Sequence, residues 1–403
     1  MKTRDPRRVV ALLVAGVTLA ACGSSATKAA PATTTKAAAT TTAAAATTVA
    51  AAATTAAPGT TAAPAASGLT ALVDACKKEG QVNLIALPDD WANYKGILES
   101  FRTKYGVKAP VASPDVSSQE ELDAIKNLKG QPDMPDSLDV SPAKAQDAVT
   151  AGSWEPFKPS TIGDVPDNLK DPAGNFVNAY YGIMAFGTNL NIAKTAPTSF
   201  ADLKKPEYKG LVALSNDPRK SGEAFAAVMA ASLANGGSAD DIMPGIKYFA
   251  ELKKSGNFIA TLTTKATVLS GETPIAIGWS YNIPGIQAEL DKAGIKFSTT
   301  FPTDGVYGSP YAQGVVKGSP HQSCAKLWVE HLLSDDGALG YLKGGAFPAR
   351  YAAIDKAGKI DAAAKKNLPP ADLVAKIKFL TADQTKKAND LLQANWGPMV
   401  ADA

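Results

Sequence analysis

Histidine is almost missing from this 403-residue chain: there are two, His321 and His331. They stand ten apart with no metal-ligand spacing, which argues against a histidine-based zinc site. Neither has a persuasive nucleophile partner, and the sequence holds no Gly-x-Ser-x-Gly elbow and no phosphate loop. Enzyme chemistry therefore has little to stand on, and no catalytic residue, cofactor or metal is expected. An excess of charge of one sign is also lacking. Lys and Arg number 41 against 38 Asp and Glu, mixed throughout, so no basic stripe invites nucleic acid. Beyond the first residues, no run approaches the roughly 18 apolar residues that a membrane span needs. Cysteine is scarce as well, with three: Cys22, Cys76 and Cys324.

What is present begins with a basic segment, Lys2, Arg4, Arg7 and Arg8, followed by the apolar run Val9 to Ala21. This pattern predicts an export signal over 1–21, too short and wrongly flanked for a stable membrane helix. Its ending, Leu19-Ala20-Ala21-Cys22, resembles the lipobox of bacterial lipoproteins. The resemblance implies a lipid on the Cys22 sulfur and a protein held at the extracytoplasmic face of the cell membrane. A thiol is the nucleophile that a thioether requires, and small residues before it let a peptidase approach. The alternative is an ordinary cleaved signal in which Cys22 is incidental. Residues 22–67 are then almost only Ala, Thr, Pro, Ser and Gly, which cannot build a core and read as a disordered linker. As a flexible coil its ends would lie on the order of 35 to 40 Å apart. In an oxidising compartment, Cys76 and Cys324 remain as an even pair, either a disulfide or two buried thiols.

The remainder, from Gly68 onward, is too long for one ordinary core and suits two lobes. Ala71–Glu79 reads as a helix, Val82–Leu87 as a buried strand and Tyr94–Tyr105 as an amphipathic helix stopped by Gly106. Val107–Val111 reads as a strand, Ser117–Glu121 as a capping box and Ser137–Val140 as a third strand. Such alternation predicts a parallel sheet covered by helices. Phe176–Asn189 is long, apolar and aromatic, and is expected to cross from one lobe to the next. A second alternating block follows, with strands at Leu211–Leu214, Phe258–Leu262, Pro274–Trp279 and Ile295–Phe301 and an apolar helix at Ala224–Ala234. The chain then returns through a strand at Ala312–Val316, a helix at Ser323–Leu333 and C-terminal helices near 361–366, 371–380 and 383–394.

Several stretches together resemble the solute-binding proteins of ABC importers, in the iron, polyamine and aminophosphonate group. They are Tyr181 to Asn189, Pro197 to Leu203 with Pro206 to Gly210, Asp217 to Gly222, Gly278 to Asn282 and Gly318 to Trp328. The resemblance covers nearly all of Gly68 to Trp396. It implies an α/β, two-lobed type II periplasmic-binding-protein-like fold with two crossing strands, ligand in the cleft and a membrane permease as partner. On this basis lobe 1 is expected to comprise 68–186 and 302–403, and lobe 2 to comprise 187–301.

Ligand sites in open α/β sheets lie beyond the carboxyl ends of strands. The first such loop offers Asp89 and Asp90 for a cation and Trp91 for cation–π stacking, or else a simple helix cap. Ser141 follows the third strand and either lines the cleft or caps a helix with Pro142 at its first position. Arg219, Ser221 and Gly222 precede the apolar helix, where free amides and a bidentate arginine favour an anionic group. Trp279, Ser280, Tyr281 and Asn282 end a strand and suit a pocket wall, or else aromatic packing at the hinge. Cation-binding relatives are expected to carry an Asp in this tetrapeptide; Ser280 stands there instead, which weakens a simple polyamine assignment. Asp304 and Tyr307, near the second crossing, either complete the site or form a hinge turn. Tyr180-Tyr181 invites a ferric reading, but neighbours in a strand point to opposite faces. The expectation is a monomeric, lipid-anchored receptor for a small amine-bearing or zwitterionic solute, polyamine-like or aminophosphonate-like. The alternatives are a ferric-ion or anion receptor of the same fold, or a surface adhesin.

Overall fold

A computed structural model describes residues 65–366, 368–377 and 379–402. The export signal, Cys22 and the linker up to residue 64 lie outside the described residues. The first half runs through α1 (Ala65–Glu79), β1 (Leu84–Ile85), α2 (Tyr94–Tyr105), β2 (Val111–Ala112), α3 (Ser118–Asn127), β3 (Ser137–Val140), α4 (Pro142–Thr150) and β4 (Trp154–Glu155). The strand β5 (Val177–Asn189) leads to β6 (Val212–Leu214), α5 (Gly222–Ala234), α6 (Met243–Ser255), α7 (Lys265–Ser270), β7 (Ile275–Trp279), α8 (Asn282–Lys292) and β8 (Phe297–Thr300). The chain returns along β9 (Gly308–Val316) to α9 (Gln322–Leu332), α10 (Asp335–Lys343) and β10 (Phe347–Pro348). Four helices close it: α11 (Tyr351–Lys356), α12 (Ala362–Lys366), α13 (Ala371–Val374) and α14 (Ala382–Trp396). No helix among the described residues is long and apolar enough to cross a membrane.

The local rules that place these elements are visible in the side chains. In α2 the residues Tyr94, Ile97, Leu98, Phe101 and Tyr105 form one buried face, and Gly106 takes φ 68° to end the helix. At the start of α3 the Glu120 carboxylate accepts from the Ser117 amide at 2.8 Å, completing a capping box. The α5 segment is buried almost all round, so Glu223 is an acid placed inside an apolar helix.

The main sheet runs β3-β9-β5-β7-β6, with β10 and β8 also on β5 and β4 on β9. Residues Val177–Ile183 of β5 pair antiparallel with β9, and Met184–Asn189 pair with β7 and β8. One strand therefore belongs to both halves of the fold. Alternation along it buries Tyr180 on one face and stacks Tyr181 against Phe347 on the other, with ring centroids 5.2 Å apart.

Several expectations need correction. Among the described strands, parallel pairing joins β1 to β2 and β6 to β7, while β3 pairs antiparallel with β9. Hydropathy marks a strand as buried but does not choose its partner. Phe258–Leu262 makes only a single bridge to Val212. The helix expected over 371–380 stops at Val374, where the chain turns so that Phe379 meets the Tyr181 ring edge-on at 5.2 Å. The C-terminal segment, grouped above with the first lobe, also packs on α6. Trp396 lies edge-on to Phe249 and Phe258, and the Lys253 ammonium donates to the Val400 carbonyl at 2.6 Å.

Cys76 of α1 and Cys324 of α9 form a disulfide across 248 residues. Beside it, the Glu79 carboxylate accepts from the Ser323 and Cys324 amides and caps α9. A loop this long restricts the unfolded chain by about 5.5 kcal/mol in the loop-entropy model. Reduction should therefore lower the thermal midpoint by on the order of 5 to 10 °C, read by calorimetry with and without a thiol reductant.

Candidate functional site

The loops after β1 and β2, the end of β3, the loop after β6, the start of α5 and the tips of α7 and α8 surround one cavity of about 910 Å³. Its wall carries six acids, Asp89, Asp90, Asp115, Glu121, Asp139 and Glu223, against two bases, Arg102 and Lys265. Three of the acids are buried in the wall.

Asp139, on β3, is 4% exposed. Its Oδ2 accepts from the Tyr94 hydroxyl at 2.9 Å and the Tyr180 hydroxyl at 2.8 Å. Burial pushes its carboxyl up to about 7, against the opposing pull of these hydroxyls. Glu121 accepts from the Asp139 amide at 2.8 Å. Its carboxyl is raised by burial first and by the nearby Asp139 charge second. Glu223 accepts from the Trp279 amide at 2.8 Å and from the Asn282 side-chain amide, and burial raises it too. Gly278 makes room for it: a Cβ there would stand 2.8 Å from Glu223 Oε1. Among the buried polar atoms of the wall, Asp139 Oδ1, Thr263 Oγ1 and Asn282 Oδ1 have no partner among the described residues.

Aromatic rings pack against these acids. The Trp91 indole N–H donates to the Tyr180 hydroxyl at 2.7 Å. The Trp91 ring lies edge-on to Tyr281 and Tyr311, with centroids 5.5 and 5.6 Å away. Tyr180 stacks on Tyr311 at 5.7 Å and on Tyr341 at 4.6 Å. Burial holds the phenols of Tyr180, Tyr281 and Tyr311 well above their ordinary range, so they stay neutral; the Tyr180 hydroxyl donates to Asp139, while that of Tyr311 accepts from the Trp279 indole.

A large cavity at strand ends, with both halves of a β5-centred fold in its wall, is a binding cleft. The family model for bacterial extracellular solute-binding proteins matches residues 133–387. This chain belongs to that family. Among solved structures it is similar to the periplasmic binding protein AfuA of Actinobacillus pleuropneumoniae with fructose-6-phosphate bound. The identity is 21% and the TM-score 0.63, over 80% of this chain and 99% of that one. Iron-bound HitA of Pseudomonas aeruginosa is 20% identical at TM-score 0.58, over 78% and 98% of the two chains. The spermidine/putrescine substrate-binding protein PotD of Streptococcus pneumoniae is 17% identical at TM-score 0.54, over 78% and 98%. No curated relative matches the chain. The solute-binding protein thus has the type II periplasmic-binding fold.

Within this solute-binding protein, Asp89, Asp90, Trp91, Ser221, Gly222 and Asn282 stand on the cavity wall. The other sequence candidates do not. Trp279 is 1% exposed and points its indole N–H at the Tyr311 hydroxyl, 3.4 Å away. The Ser280 hydroxyl faces the Ile183 amide of β5 at 3.4 Å, and the Tyr281 ring is pressed against Gly182. Ser141, Arg219 and Tyr307 line a separate cavity of about 60 Å³. Arg219 is held by Asp217, with Nη2 to Oδ2 at 2.6 Å, instead of reaching into the cleft. Asp304 caps the Phe200 and Ala201 amides at 2.9 and 3.1 Å, which makes it a structural carboxylate.

The residues that sequence reasoning missed are Glu121, Asp139, Glu223 and Tyr311. Two left a trace: Asp139 is an acid inside a buried strand, and Glu223 is the acid of an apolar helix. A raised carboxyl carries a cost. An unfolded Asp ionises near pH ~3.9, so between about pH 4 and 7 the folded chain binds more protons at Asp139 and loses stability as pH rises. Asp139→Asn should therefore raise the thermal midpoint by several degrees at about pH 8 and change it little near pH ~4, at about 1.4 kcal/mol per unit between. Melting curves of both proteins across that range check the sign.

Proposed function

We propose that the protein captures a small amine-bearing solute and presents it to its permease while anchored through a lipid on Cys22. The observation that carries this reading is the set of three buried carboxylates, Glu121, Asp139 and Glu223, beside neutral aromatic rings in one cavity. Buried acids without a fixed cation favour a ligand that brings one. The unpartnered Asp139 Oδ1 and Asn282 Oδ1 are acceptors, which favours an ammonium with N–H groups over a quaternary one. Trp91 and Tyr311 add ring faces and edges that suit a cation and its methylenes.

Glu223 at the start of α5, with Arg219 turned to Asp217, weighs against an anionic end bound there. The aminophosphonate-like half of the expectation is accordingly the weaker half. Tyr180 and Tyr181 on opposite strand faces weigh against a ferric receptor in the manner of adjacent tyrosinates.

Thermal unfolding against a panel of diamines, betaines, amino acids, sugar phosphates and ferric salts tests the reading. A diamine at about 100 times its dissociation constant should add about 2.7 kcal/mol to the folded state. Asp139→Asn and Glu223→Gln should each weaken that binding at least about tenfold, since each leaves a buried ammonium short of a carboxylate. A shift from sugar phosphates or ferric salts alone would overturn it. The anchor has its own check: Cys22→Ser should release the protein from the membrane fraction.

A further inference from the structure

The loop from Ala86 to Asn93 joins β1 to α2 and carries Asp89, Asp90 and Trp91 over the cavity. Among the described residues, four non-glycine residues have φ in the left-handed region. Three of them bracket this loop: Ala86 at 57°, Ala92 at 47° and Asn93 at 63°. Side chains disfavour that conformation, so the bent shape is held by contacts. At the base Asn93 Nδ2 donates to the Gly340 carbonyl of α10 at 3.0 Å and the Ala92–Asn93 backbone packs on Gly344, and the tip has contacts of its own.

The tip touches α8. Gly285 lies inside that helix, where glycine is disfavoured and its backbone conformation does not call for it. The reason for a glycine is across the cleft. A Cβ on Gly285 would stand 1.9 Å from the Asp90 carbonyl oxygen and 2.9 Å from its carbon. Next to this contact the Lys265 ammonium pairs with Asp90 Oδ2 at 2.9 Å, with Glu289 at 4.0 Å. On the inner side the Trp91 indole is tied to the Tyr180 hydroxyl.

We propose that Leu87–Trp91 is a lid over the binding cavity and that Gly285 is its seat, a positioning residue that acts through Asp90 and Trp91. The lid is fixed at three points: main chain on Gly285, charge on Lys265 and indole on Tyr180. Seated, it keeps Trp91 against the acid-lined wall, whichever solute fills the space.

Tryptophan fluorescence reads the seat without a ligand. Of the five tryptophans, Trp154, Trp279, Trp328 and Trp396 are at most 4% exposed, while Trp91 is half-buried. Acrylamide quenching of the full chain therefore reports chiefly on Trp91. Gly285→Ala should raise the quenching constant at least about twofold by unseating the lid, with secondary structure unchanged. In a Trp91→Phe background the rise should vanish, and Gln287→Ala on the same helix should leave quenching as in the parent. Lys265→Met, or molar salt on the parent protein, should produce a smaller rise in the same direction. Parent-like quenching in a folded Gly285→Ala protein overturns the proposal. Should that variant fail to fold, Lys265→Met decides: a rise supports the lid and parent-like quenching overturns it.

Discussion

Everything else in this fold depends on the hydrogen bonding of β5. One unbroken strand of 13 residues satisfies its backbone on β9 and β10 along its first part and on β7 and β8 along its last. Because every buried N–H and C=O must find a partner, neither half can shift its register without disturbing the other. The strand also carries Tyr180, so the same ladder that joins the halves sets the position of the hydroxyl between Trp91 and Asp139. The apolar core follows it, continuous from Phe101 and Trp328 on one side to Met229 and Phe249 on the other.

The cavity is built against the ordinary preference for neutral interiors. Three carboxylates lie in its wall where burial raises each of them. Each has at least one acceptor oxygen in use: Asp139 Oδ2 by two tyrosine hydroxyls, Glu121 by a backbone amide, Glu223 by an amide on β7 and by Asn282. Such an arrangement is stable enough to fold and costly enough to gain from a cation. The strained loop over it is the same compromise in the backbone, with conformational cost at Ala86, Ala92 and Asn93 balanced by contacts with α10 at its base and across the cleft at its tip.

The sequence carried the local structure well. The length and apolar character of Phe176–Asn189 marked the strand that crosses the fold, the Ser117–Glu120 box marked the start of α3, and the loop with Asp89, Asp90 and Trp91 was legible as a strand-end loop. It did not record the direction in which a side chain points. Trp279 and Tyr281 are aromatics at a strand end, as a pocket wall requires, yet they face inward onto Tyr311 and Gly182. Arg219 sits beside a helix start, as anion binding requires, yet Asp217 two residues before it takes its guanidinium.

Composition and periodicity alone pointed to an export signal, an Ala-, Thr- and Pro-rich linker and an alternating α/β body. Those are properties of neighbours along the chain, which hydropathy and turn chemistry record directly. Tertiary structure alone decided that Glu121, Asp139 and Glu223 share a cavity and that Cys76 meets Cys324. It also decided that Gly285 receives the Asp90 carbonyl. Each of these joins residues far apart in sequence. Such pairs are set by strand register and helix packing, which no local pattern encodes.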